Sequence, residues 1–208
     1  MFWIALAAQI SAPTPVSNGG LFTANDIPEI LLRQKPGYWV VPIRMTVSPD
    51  GKSLDCAPES EGPFPQLDSL TCKIMLRRAK MRAASIDGVP AYGVYRTYIV
   101  FTIGIGPLKD SVHFPDLAVA LNRLPEGLKS PALVRVQFVV DPTGAKSSCG
   151  AEASFFEGVN NHPDLVPVAC DQVLKDYVAT PAMVSGVSTT SVQGAFVEFT
   201  MPTLSPDK

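Results

Sequence analysis

The chain has 208 residues, 46% of them hydrophobic, and a formal net charge of −2. Those values belong to a soluble globular protein; they exclude a disordered polar chain and a dedicated polyanion binder. Its 20 prolines exceed the usual share of about 5%, but they are scattered through loops rather than gathered into a spacer.

At the N-terminus an apolar run, Phe2 to Ile10, is followed by small residues and prolines. It is too short to span a bilayer, which takes about 20 apolar residues. It has the h-region of a signal peptide and an Ala5-Leu6-Ala7 cleavage site, but no basic n-region. Residues 1–24 are therefore assigned as leader and linker, the alternative being an apolar tail packed on the body. Ile27-Pro28-Glu29-Ile30-Leu31-Leu32 reads as a short helical turn capped by Asn25 or Asp26.

From Trp39 the pattern alternates: Val41, Ile43, Met45 and Val47 share one face of a strand, with Arg44 and Thr46 on the other. Ser48-Pro49-Asp50-Gly51 is a turn, with proline pre-setting φ, Asp capping, and Gly accepting positive φ. Ser53 to Ala57 is a returning strand that carries Cys56. A helix from about Leu67 to Lys80 carries Cys72, with Leu67, Leu70, Ile74 and Met81 at helical spacing. Tyr95 to Ile105, rich in β-branched and aromatic residues, closes the unit.

The unit recurs. A shift of 93 carries Val41 to Val134, Pro49 to Pro142, Gly51 to Gly144 and Cys56 to Cys149. Beyond the hairpin the shift is 98, carrying Cys72 to Cys170, Gly88 to Gly186 and Phe101-Thr102 to Phe199-Thr200. A single insertion of five residues in the second loop accounts for the change. His113-Phe114-Pro115-Asp116-Leu117 echoes the earlier entry segment, so the second unit begins near residue 111. Its helix is placed at about Leu165 to Tyr177, with Pro167 in the first turn, and its closing strand at Val192 to Met201. The chain is a tandem duplication: 25–106 is the first unit and 111–202 the second, more divergent one. The fold class is α+β, two β-β-α-β units in series.

Cys56, Cys72, Cys149 and Cys170 match no zinc spacing. One pair per repeat at equivalent places makes Cys56–Cys72 and Cys149–Cys170 the natural connectivity, with two others formally open. Each bridge would contribute about 3 kcal/mol to a small unit, and cysteines used this way imply an oxidising compartment. The alternative is four buried thiols.

Residues that could carry chemistry are few. His113 and His162 lie in no catalytic motif, and His162 sits in a polar loop. Asp55, Glu59 and Glu61 form a loop of carboxylates rather than a metal site. Gly104-Ile105-Gly106 lacks the strand–helix context of a phosphate loop. The expectation is a protein with no enzymatic activity, cofactor or metal, and with no nucleic-acid partner. Lys73, Arg77 and Arg78, continued by Lys80 and Arg82, form a candidate basic face on the first helix, suited to an anionic partner; the plainer reading is a solvated face.

The order of a Pro-containing entry, TVSPDGK, Cys56, LDSLTC, RRAKMRAA, DGVP and a final strand ending in FTI resembles the C-terminal domain of TonB. TonB is the energy-coupling protein of the Gram-negative envelope, and the chain more closely resembles exported TonB-like proteins that carry a cysteine pair. Residues 26–103 carry the likeness well. Residues 111–201 carry it loosely, keeping DPTG, the cysteines, TPA and FVEFT. The resemblance implies a three-stranded antiparallel sheet packed on a helix in each unit, with the first strand central. It also implies a periplasmic or exported protein that binds an extended segment, such as the TonB box of an outer-membrane transporter, along the edge of the closing strand. Tyr95, Thr97, Ile99 and Phe101 are then expected to set selectivity. Neither the anchor nor the long Pro-rich arm of TonB is found in this sequence. The alternative is a structural or inhibitory envelope protein whose sheet edges pair with each other.

Overall fold

The computed structural model describes residues 8–17, 21–105, 114–152, 159 and 162–201. In chain order its elements are β1 (Ile10–Ser11), β2 (Thr14–Pro15), α1 (Glu29–Leu32), β3 (Gly37–Val47), β4 (Ser53–Pro58), α2 (Pro65–Arg78), β5 (Met81–Arg82), β6 (Ala84–Ile86), β7 (Val89–Ala91) and β8 (Gly93–Ile103). They continue with β9 (Leu117–Ala120), β10 (Ala132–Val140), β11 (Lys146–Ala151), α3 (Leu165–Asp176), β12 (Ala182–Val184), β13 (Val187–Thr189) and β14 (Ser191–Thr200). The protein is α+β. The succession strand, strand, helix, strand occurs as β3-β4-α2-β8 and again as β10-β11-α3-β14.

Corresponding turns are built alike. Ser48 and Asp141 begin the two hairpin turns, and the amides of Lys52 and Ala145 donate to their side chains at 3.0 and 2.9 Å. Gly51 and Gly144 take φ of 80° and 90°, the left-handed region expected of them. The β6–β7 and β12–β13 arms also match, turning at Asp87-Gly88 and Ser185-Gly186, all four at positive φ. Proline at the first turn of α2 and arginines in its last turn suit both ends of that helix.

Within each half the first strand is central: β3 lies between β4 and β8, and β10 between β11 and β14, all antiparallel. The two halves then join. β8 and β14 pair in parallel at Gly93–Val94 and Val192–Gln193, making one sheet of order β11-β10-β14-β8-β3-β4. Side-chain parity across that junction decides the layering. Gly93 shares the parity of Tyr95 and Phe101, which pack with α2, whereas its neighbour Val192 has the parity opposite to Val197 and Phe199, which pack with α3. The helices therefore lie on opposite faces of the shared sheet.

The arms cross over to cover what the helices leave open. Ala84 and Ile86 of the first half pack on Val139 and Val192 of the second, together with Ile10 and Ala12. Residues 10–15, which the sequence assigns to the leader and linker, are thus packed on the body. Ala12 N–H donates to Gln137 Oε1 at 2.7 Å, and Gln137 Nε2 donates to the Ile10 carbonyl at 2.8 Å. The outer strands β4 and β11 are blunted by bulges in their ladders, by Pro58 at the end of β4 and by Ser148 of β11 at φ 50°.

Some expectations shift. The entry turn is a 3-10 turn at Ala24–Asp26 followed by α1, whose N-cap is Pro28 rather than Asn25 or Asp26. Both closing strands begin and end earlier than the alternation suggested, because residues 104–105 bend away and Gly93 and Ser191 already pair. The proposed boundary near residue 111, with His113, lies outside the described residues.

Candidate partner-binding edge

β8 lies against β3 along its whole length, from Gly37↔Ile103 to Val47↔Gly93. Cross-strand partners share a face, so Tyr95, Ile99 and Phe101 join Met45, Val41 and Trp39 on the side covered by α2. Tyr95, Thr97 and Phe101 are buried and Ile99 is half-buried. This corrects the role expected of their side chains: they fill the core and are turned away from any strand that would read the other face. The outward set is Arg96, Tyr98, Val100 and Thr102. Tyr38, Val100 and Phe114 leave apolar surface exposed on that face, and Tyr98 stacks edge-on to Phe114 at 5.4 Å.

On its second side β8 is paired only at Gly93 and Val94; among the described residues no strand pairs with it from Tyr95 to Ile103. The two closing strands diverge there, and Phe114–Asp116 enters the wedge. Arg96 is its hub. Its Nε and Nη2 meet the Glu59 carboxylate at 2.5 and 2.8 Å, and its Nη1 reaches Asp116 Oδ1 at 2.5 Å and the Tyr177 hydroxyl at 2.8 Å. Burial works against the Arg96 charge, but Glu59 and Asp116 outweigh it and hold the guanidinium above its ordinary value. Burial raises Asp116 despite Arg96 beside it, and burial pushes Tyr177 up to about 12. One arginine thereby ties four segments from both halves together.

The closing edge of the second half is occupied. Beyond Gln193, β14 is paired by β9 in parallel, from Val197↔Leu117 to Thr200↔Ala120.

The remaining sequence-derived residues sort as follows. Cys56–Cys72 and Cys149–Cys170 are bonded, with Cα separations of 5.4 and 5.5 Å, each tying a second strand to its helix. The candidate basic face is divided: Lys73 and Arg77 are exposed, but Arg78 turns back to grip Asp26 through two hydrogen bonds of 2.6 and 2.9 Å and also donates to the Leu21 carbonyl. His162 accepts the Asp164 amide at 3.3 Å beside the start of α3. Of the loop carboxylates, Asp55 and Glu61 face solvent while Glu59 belongs to Arg96. Among the described residues no group of three His, Cys, Asp or Glu could hold a metal ion, and no helix is long and apolar enough to cross a membrane.

Sequence reasoning passed over Arg96, Asp116, Tyr177, Arg135 and Glu152. A signal was available for one of them: the shift of 93 that relates the repeats takes Glu59 to Glu152. No protein-family model, curated protein or solved structure matches the chain.

Proposed function

We propose that the chain is a non-enzymatic, periplasmic protein-interaction module made of two units like the C-terminal domain of TonB. In this reading the first unit takes an extended segment of an envelope or outer-membrane transport protein, such as a TonB box, as an added strand along β8. The supporting observation is the strand from Tyr95 to Ile103, bonded to β3 on one side and to no described strand on the other. Main-chain bonding there supplies affinity, while the exposed face around Tyr38, Val100 and Phe114 offers contacts for alternate side chains. Two disulfides are the mark of an oxidising compartment, which supports placement outside the cytoplasm.

Titration with a synthetic TonB-box peptide tests this reading. Wild type binds, and a Val100→Pro variant that keeps its fold binds at least tenfold more weakly, because the even-numbered residues of β8 turn their amides to the outer edge and proline cannot serve as a ladder donor there. Equal affinity removes β8 as the site.

A second reading, a structural or inhibitory envelope protein, is favoured by one observation: the closing strands pair with each other, and β14 is closed by β8 and β9. It requires that no extended peptide bind to either edge.

A further inference from the structure

The leads that enter the two halves take different courses from equivalent starting points. Leu31 and Leu124, related by the shift of 93, are each buried in their own core. Counting back from them sets Leu21–Ile27 opposite Phe114–Ala120. In the first half this stretch contains a 3-10 turn, Phe22 packs edge-on to Phe101 at 5.5 Å, and Arg78 clamps Asp26. In the second half it is β9. The position matching Arg78 is Asp176, so no guanidinium stands there to draw the lead toward α3.

We propose that β9 is an internal ligand: the closing edge of the second unit is a receptor for extended segments, filled by the chain's own lead and latched by Asp116. The lead is held as a ligand strand is held. The Asp116 and Leu121 amides donate to the Phe196 and Thr200 carbonyls, both at 2.8 Å, at either end of the paired stretch. Leu117, Val119 and Leu121 pack on the core beside α3, while Ala118 and Ala120 face solvent. The Asp116 carboxylate accepts the Phe196 amide at 2.8 Å and binds Arg96 of β8 at 2.5 Å, so the latch spans both closing strands. An outside segment competes with a tethered strand at roughly millimolar effective concentration, and weak ligands are excluded from this edge. The inference concerns β14 and stands apart from whether β8 receives a partner.

The probe is a labelled peptide with the sequence of residues 114–121. Val119→Pro removes an amide donor from the middle of β9. The folded variant is expected to bind the peptide saturably and to show slowed amide exchange at Val197–Thr200, whereas wild type shows no binding at concentrations that saturate the variant. A folded Val119→Pro protein that does not bind, wild type that binds equally well, or protection confined to Tyr95–Ile103 overturns the proposal; the last outcome leaves the β8 reading standing. If the variant does not fold, amide exchange in wild type decides. A displaceable β9 exchanges at least tenfold faster than the β10–β14 ladder, and exchange at the ladder's own rate overturns the proposal.

Discussion

Glu59 and Glu152 occupy the same place in the two halves, and each carboxylate is met by an arginine from a different strand. Glu59 is held by Arg96 of β8, Glu152 by Arg135 of β10, whose Nε lies 2.8 Å from Glu152 Oε2. Register makes the exchange explicit. The residue equivalent to Arg96 is Gly194, where a Cβ would run into Glu152 Oε2, and the residue equivalent to Arg135 is Pro42. The backbone contact is kept in both halves, the glutamate amide donating to the Pro42 or Arg135 carbonyl at 2.9 or 3.1 Å. The charge pair has been preserved while its cation moved by one strand.

That pair in the second half is deeply buried, with Arg135 2% and Glu152 4% exposed, and Arg135 lies over the Phe196 ring at 4.6 Å. Removing one member strands a buried charge, so Glu152→Gln is expected to destabilise by about 3–5 kcal/mol. Replacing both by apolar residues recovers most of that loss. The exposed pair Arg33–Glu29 is the control, worth about 0.5 kcal/mol or less. Urea unfolding of Glu152→Gln, of the double apolar replacement and of the control Glu29→Gln reads the difference.

The two turn glycines separate strain from collision. Both have positive φ, but a Cβ on Gly51 would lie 2.5 Å from the Met81 carbonyl, against 3.5 Å between Gly144 and the Ala179 carbonyl. Gly144→Ala is expected to cost about 1 kcal/mol, for conformation alone, and Gly51→Ala about 2–3 kcal/mol. Equal losses in thermal unfolding would show that Met81 yields at no cost.

The clamp on the first lead has a pH signature. Hydrogen bonds from Arg78, then from Thr23, hold Asp26 well below its ordinary 3.8. A depressed carboxylate contributes stability above its unfolded value and loses it as pH falls through the folded one. The stability gap between wild type and Asp26→Asn should therefore be constant near neutrality and shrink only below about pH 4. A gap that widens in acid would contradict the clamp.

Each disulfide closes a hairpin onto a helix, across sequence separations of 16 and 21. Replacing both cysteines of either pair by alanine is expected to cost about 3 kcal/mol, measured by urea midpoint. A loss below about 1 kcal/mol would mean that the reduced chain is already constrained.

Local order was legible because each half obeys its own rules. Val41, Ile43, Met45 and Val47 alternate onto one face, the turn glycines sit where φ must be positive, and the cysteines pair within repeats. What could not be read is how the halves meet. Gly93–Val94 with Val192–Gln193 is a contact of backbone edges, and no side-chain pattern announces it. The same holds for β9: Leu117-Ala118-Val119-Ala120 is four residues of weak alternation whose strand form depends on an edge supplied by β14. Arg96 was passed over because a guanidinium inside a β-prone run reads as solvent-facing until its three partners, distant in sequence, are assembled around it.

Amide exchange of the wild-type protein with and without a TonB-box peptide tests the proposed function most directly. The account predicts slowed exchange at alternate amides of Tyr95–Ile103, with Val197–Thr200 unchanged because β9 already occupies that edge. Peptide binding that leaves every amide of Tyr95–Ile103 unaltered, or no binding at all, would contradict it.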